Sequence, residues 1–217
     1  MDQFLATLTD NWGLFLGAFG MTLRLLAVSA VAALLLGTLL AAFRVSPSSA
    51  LRGFGTAYVT VLRNTPLTLL FVFVAFGWPL LQVNLSYFTF AVIALSLYTA
   101  AFVCEAVRSG INTVAAGQSE AARAIGMGFG QTLGLVVLPQ AFRAVVPPLA
   151  SILIALAKNT TVASGFGVVE SGGLGATLNE KGYSTVYALL WVVVGFLVLV
   201  LPMSAVQRQL ERRWRVA

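Results

Sequence analysis

The stretch Gln118–Pro139, QSEAARAIGMGFGQTLGLVVLP, decides how the rest of the chain is read. It is the longest polar-to-amphipathic interval between apolar runs. Glu120, Ala121 and Ala122, with Gly126 a few residues on, predict a short helix with a hard stop. Glu120 is expected in the first turn, where a carboxylate suits the partial positive charge of a helix N-terminus. Ala121, Ala122 and Ala124 favour helix, and Gly126 can take the left-handed conformation that ends one. A helix of about two turns is barely stable alone in water. It must rest on its own protein or on a partner.

The surrounding chain is suited to lipid. Of 217 residues, 59% are hydrophobic and 9% charged, with a mean hydropathy of +0.93. A soluble domain carries roughly 25% charged residues. A bilayer crossing needs about 20 apolar residues, so the length allows five or six crossings with short loops. The net charge of +6 does not point to nucleic acid, because the arginines sit at the ends of apolar runs rather than on one polar face. Histidine is absent, which removes the usual metal ligand and general base, so neither a catalytic nor a metal site is expected. Cys104 is the single cysteine and can form no intrachain disulfide. The opening MDQFLATLTD lacks a positive n-region and a cleavage site, so no removable signal peptide is expected.

Working outward from the opening stretch, five spans are expected, at about 20–43, 59–81, 87–107, 147–166 and 184–206. The first contains the charge-free run Leu25–Phe43 between Arg24 and Arg44, with Arg24 able to snorkel. The second carries Arg63-Asn64-Thr65-Pro66 near its start, where proline frees a backbone carbonyl. Arg63 reads either as an interfacial anchor or as a pathway residue. In the third, Glu105 and Arg108 share a helical face. They form either a local ion pair or part of a polar pathway. The fourth is expected to begin at Pro147-Pro148, since proline is favourable at a first helical position. That start puts Lys158-Asn159-Thr160 near the bilayer midplane, where a lysine marks function. A start near Leu133 would instead put Lys158 at the far interface, and both placements stay open.

Gly165–Gly182 is glycine-rich and carries Glu170, Glu180 and Lys181, and it is expected to be a flexible external loop. The phosphate-loop spacing G-x-x-x-x-G-K-[ST] is absent throughout the chain. The tail, QRQLERRWRVA, has four arginines and an interfacial Trp214. With five spans, Arg44, Arg52, Arg108, Arg123, Arg143 and the tail fall on one side, and most acids fall on the other. The positive-inside rule then puts the N-terminus outside and the C-terminus in the cytoplasm. The Glu120 helix and the loop 108–146 that carries it are cytoplasmic in this reading.

Glu120-Ala121-Ala122, Gly126 and then Val136-x-Leu138-Pro139 resemble the signature loop of ABC-importer permeases, with Val136 where isoleucine is common. Arg63-Asn-Thr-Pro-Leu67, Glu105-x-x-Arg108-Ser-Gly-Ile111, Pro147-Pro-Leu149 and Lys158-x-Thr160 look like the polar amino-acid branch. RNTPLTL, EAVRSGINTV and ALAKNTTVAS look most like actinobacterial glutamate-uptake permeases. The resemblance covers Arg44 to about Ser164 and thins beyond.

It implies an all-α integral membrane protein of the type I ABC-importer kind, with five transmembrane helices, one permease domain over 1–217 and a cytoplasmic coupling helix. It implies a plasma-membrane subunit that is not itself an enzyme and binds no cofactor. ATP and Mg2+ would be bound by a cytoplasmic ATPase dimer. A second permease, identical or paralogous, and an extracellular substrate-binding protein would complete the importer. The residues implied in ATPase coupling are Glu120, Ala121, Ala122, Gly126, Leu138 and Pro139. Candidates for the substrate pathway are Lys158, Asn159, Thr160, Glu105 and Arg63, with an acidic or amide amino acid as cargo. Two other functions fit the composition, a stand-alone ion-coupled carrier and a membrane scaffold. A carrier of that kind usually contains internal repeats, and none is evident here.

Overall fold

The computed structural model describes residues 2–46 and 48–213, so Trp214 and Arg215 of the expected tail lie outside the described residues. Among these residues the regular structure is helical throughout. The helices are α1 (Asp2–Thr9), α2 (Trp12–Val45), α3 (Ser49–Asn64), α4 (Leu67–Leu80), α5 (Tyr87–Asn112), α6 (Ala116–Ala124), α7 (Leu138–Asn159), α8 (Leu174–Glu180) and α9 (Thr185–Arg213).

α2 runs for 34 residues, about 51 Å of rise, against a hydrocarbon thickness of about 30 Å. It starts well before the expected residue 20, and Arg24 lies exposed within it rather than at its boundary. No proline separates Trp12 from Arg24, and one exposed arginine does not end a helix. Small residues explain its packing. Ala18, Thr22, Ser29, Ala33, Gly37 and Ala41 are buried at spacings of four or seven, a stripe that lets α5 approach closely. At Gly37 a Cβ would lie 2.5 Å from Val103 Cβ and 2.8 Å from the Ala100 carbonyl oxygen, so no larger residue fits.

The expected span 59–81 is divided. α3 and α4 meet at 104° across Thr65-Pro66, both extended. Proline excludes the helical conformation at the residue before it, which makes a corner of what hydropathy reads as one run. α3 is amphipathic: Gly55 and Val59 face the bundle, while Arg52, Thr56 and Thr60 form an exposed polar stripe at four-residue spacing. α4 carries Phe71 into the central cluster with Leu25, Phe90, Leu95, Leu156 and Val168, and contains a π-helical turn over Phe73–Gly77.

The fourth long apolar helix, Gly134–Phe166, starts well before Pro147 and close to the alternative start near Leu133. α7 begins at Leu138 with Pro139 in its first turn, preceded by a π-helical turn at Thr132–Val137, and Pro147-Pro148 lie inside it. Pro139 therefore lies where a continuous helical run passes from π- to α-helical, and neither it nor Pro147-Pro148 marks a free helix start. In a membrane helix, neighbouring groups can tolerate the interior pair.

Gly165–Gly182 is folded rather than loose. After α7 the chain tightens into a 3-10 helix, Thr160–Phe166, makes a short turn at Ser171–Gly173 and enters α8. Leu174 and Leu178 pack with Phe15, Ala18, Ala188 and Val192, which ties this cap between α2 and α9. α9 is otherwise lightly buried, with much of its apolar surface facing outward. α1 is pinned to it: Phe4 stacks on Trp191 at 4.6 Å, and Trp191 Nε1 donates to the Phe4 carbonyl at 2.8 Å.

Candidate coupling surface and two carboxylate hubs

α6 is nine residues long, and Glu120 is its fifth, beyond the first turn where it was expected. The helix begins upstream at Ala116, so Glu120 sits on the exposed side of its second turn. Ala121 beside it is exposed and Ala122 is buried. The stop is the expected one. Gly126 has φ +87°, its N–H donates to the Arg123 carbonyl at 2.9 Å, and the Met127 N–H donates to the Ala122 carbonyl at 3.1 Å. Together these bonds are the paired closure that a left-handed glycine makes at a helix end.

α6 packs against the π-helical turn that leads into α7. On this part of the chain Ile125 is 81% exposed, and Leu135, Leu138 and Phe142 are at least half exposed. Pro139 is exposed as well. Large exposed apolar side chains beside a carboxylate have the chemistry of a surface that another protein covers.

Glu105 is the first hub. The expected contact with Arg108 is present at 3.1 Å, and Arg44 from α2 makes a second, shorter ion pair. Arg63 from α3 lies 3.9 Å away, with its guanidinium 5.5 Å from the Phe102 ring centroid. One carboxylate thus joins three helices. Its spacing to Arg108 is legible in sequence, whereas Arg44 lies 61 residues distant.

Glu170 is the second hub, and sequence reasoning missed it. It is 1% exposed and faces hydroxyls and backbone. Its Oε2 accepts from Thr22 Oγ1 and Ser171 Oγ, each at 3.0 Å, and Oε1 accepts from the Gly172 N–H at 2.7 Å. Burial pushes this carboxyl above its ordinary range, against the pull of the bonds from Thr22, Gly172 and Ser171. Only a local signal was available, an acid among glycines, and that reads as a loop.

Lys158 is exposed in the last turn of α7, where a cation suits the helix C-terminus. It lies about 20 residues, hence about 30 Å, beyond Leu138. Asn159 is half-buried. Thr160 is fully buried, and its hydroxyl donates to the Ala157 carbonyl at 2.8 Å, a bond that helps turn the chain into the 3-10 segment. Leu156, two residues before Lys158, packs in the cluster of Leu95, and Glu105 is about 15 Å further along α5. The five pathway candidates therefore lie at two levels, Lys158 to Thr160 at one and Glu105 with Arg63 at the other.

Residues 33–216 match the family described as binding-protein-dependent transport system inner membrane component. The chain is 42% identical to the glutamate transport system permease protein GluC of Corynebacterium glutamicum, over 93% of this chain and 94% of that protein. It is 44% identical to the protein of the same name from Corynebacterium efficiens, over 87% and 89%. The glutamate/aspartate import permease protein GltJ of Escherichia coli is 31% identical over 93% and 95%. Among solved structures, an amino acid ABC transporter crystallised with histidines superposes with a TM-score of 0.89 at 27% identity, over 94% of this chain and 95% of that one. The inward-facing MetNI methionine transporter, at 22% identity and a TM-score of 0.76, shares the fold.

Proposed function

Because this chain belongs to the family of binding-protein-dependent transport system inner membrane components, we propose that it is the membrane-spanning subunit of an ATP-driven importer of glutamate or a closely related acidic or amide amino acid. The observation that carries this reading is α6, a nine-residue helix with a closed C-terminus, an exposed Glu120 and exposed apolar neighbours. The cargo rests on the similarity to glutamate permeases over nearly the whole chain.

In this reading α6 docks on a cytoplasmic ATPase dimer that binds ATP and Mg2+, and this chain needs no cofactor. Glu120 offers the ATPase a charged contact and Ala121 a close one. Ala122 holds the helix to its own chain, and Gly126 aims it. Leu138 and Pro139 start α7, so movement of α6 passes directly into a long helix. A second permease completes the pathway, and an extracellular binding protein delivers the cargo. The N-terminus lies outside and the C-terminus in the cytoplasm, following the arginines.

Lys158 supplies an ammonium for a cargo carboxylate, with Asn159 beside it. Thr160 shapes the backbone there, since its hydroxyl is already bonded. Glu105 and Arg63 belong to the second level, where one carboxylate holds α2, α3 and α5 together. Opening that level separates charges, so it suits a point that changes between transport states.

The test is reconstitution of the chain in vesicles with its ATPase, second permease and binding protein, followed by uptake of labelled glutamate. Uptake that requires ATP and is competed by aspartate or glutamine is expected. Glutamate uptake driven by an ion gradient without the ATPase would sink the proposal in favour of a carrier. Absence of transport under every condition would leave a scaffold.

A further inference from the structure

Beside the Glu105 hub, and distinct from α6, is an open cavity of about 610 Å3 lined by Arg44, Arg52, Gly53, Thr56, Thr60 and Arg108 among others. Its composition is unusual for this chain. Arginines from α2, α3 and α5 line it together, and the exposed stripe Arg52-Thr56-Thr60 of α3 forms one wall. Among the described residues the carboxylate beside them is Glu105, shared by Arg44 and Arg108 and approached by Arg63, so three arginines face one carboxylate even without Arg52, whose Nη1 donates to the Ser46 carbonyl at 2.8 Å. Arg108 also keeps a buried Nε with no hydrogen-bond partner among the described residues.

The cavity lies where α2 ends and the amphipathic α3 begins, with exposed apolar residues around it. Phe54 is 58% exposed and Val61 59%. Helices that present basic residues on a polar face and bulky apolar ones beside it sit at the bilayer surface. Basic pockets between membrane helices take anionic headgroups.

We propose that this cavity binds a phosphate monoanion, held by Arg44, Arg52 and Arg108 with Thr56 and Thr60 as hydroxyl donors, and that the phosphate is that of an anionic lipid headgroup. Guanidiniums pair with phosphate oxygens in a fixed fork geometry, and hydroxyls fill the remaining acceptor sites. Phe54 and Val61 then face the acyl chains of the same lipid. The bound phosphate would offset the surplus positive charge and fix α3 against the end of α2.

The test is native mass spectrometry of the assembled transporter, in mild detergent, with phosphatidylglycerol, phosphatidylcholine or inorganic phosphate added. Wild-type protein should retain phosphatidylglycerol over phosphatidylcholine. Arg52→Gln should lower that retention about five-fold, the weight of one cation at a membrane surface. Thr56→Val should lower it less, and Arg24→Gln, elsewhere on α2, should not. Failure of millimolar inorganic phosphate to displace the lipid assigns the site to the headgroup, whereas displacement assigns the same phosphate site to a soluble ion. Equal retention by wild type and Arg52→Gln would overturn the proposal. So would displacement of the lipid by glutamate, because that result assigns the cavity to the cargo.

Discussion

Two carboxylates hold this molecule together in opposite ways. Glu105 is partly exposed and meets three arginines on α2, α3 and α5. Glu170 is buried and meets the hydroxyls of Thr22 and Ser171 and a backbone N–H, with no cation among its hydrogen-bond partners in the described residues. The first joins long helices through charges that water and salt can reach. The second fixes a short cap to α2 through bonds that water cannot replace. Such a contrast separates a joint that can open from one that stays shut: exposed ion pairs are individually weak, whereas an unpaired buried polar group is costly.

The largest expected effect is at Glu170. Glu170→Ala would leave the Gly172 N–H without its acceptor and turn the Thr22 and Ser171 hydroxyls onto each other and the Ala18 carbonyl, and should cost about 2–3 kcal/mol in thermal or denaturant unfolding. Glu170→Gln should recover most of that loss. Its amide oxygen can serve the Gly172 N–H while its NH2 donates to Thr22 and Ser171, whose hydroxyls can turn to accept. If Gln were as damaging as Ala, the carboxylate charge would matter more than its hydrogen bonds, and the comparison with Glu105 would lose its basis.

Glu105→Ala should cost less, about 1–2 kcal/mol, because the arginines it abandons retain access to water. Its signature should be salt: the loss should shrink as ionic strength rises, while the loss at Glu170 should not. Arg63→Gln should cost below about 1 kcal/mol, since Arg63 is half exposed and at the edge of contact distance. Equal salt dependence at both hubs would erase the distinction between them.

The smallest effect concerns pH. Burial raises the Glu170 carboxyl above its ordinary value of 4.5, so between the two values the folded chain binds more protons than the unfolded chain. Stability from this group therefore rises as pH falls through the raised value, and stops rising below about 4.5. The difference in unfolding midpoint between wild type and Glu170→Gln, followed with pH, should show this slope. The opposite slope would mean that the hydrogen bonds outweigh burial.

The same contrast explains what could be read from sequence. α6 and its stop at Gly126 were legible because their causes lie within a few residues. The Glu105–Arg108 pair was legible for the same reason. Arg44 and Arg63 reach Glu105 only because α3 crosses α5, and no spacing rule records that crossing. Glu170 was hidden because the group that makes its burial tolerable, Thr22, is 148 residues away. The proline rule did not locate the start of this helix: the helical run begins before Pro139, and Pro147-Pro148 are carried inside it, as neighbouring groups allow in a membrane helix. The corner at Pro66 was visible as a break, but its angle of 104° depends on tertiary packing.

The central claim, that α6 passes the work of an ATPase into the membrane helices, is tested most directly at Gly126. Beyond its chain neighbours, no heavy atom of the described residues lies within 4 Å of where its Cβ would stand, so Gly126→Val acts through the backbone, by opposing φ +87°, rather than through a clash. The cost of holding a β-branched residue there, about 1–2 kcal/mol, should shift α6 from its docked aim while the rest of the bundle stays folded. The measurement is the number of glutamates imported per ATP hydrolysed by the reconstituted transporter. The expected result is continued hydrolysis with that ratio about tenfold lower. An unchanged ratio in a properly assembled Gly126→Val transporter would contradict the claim.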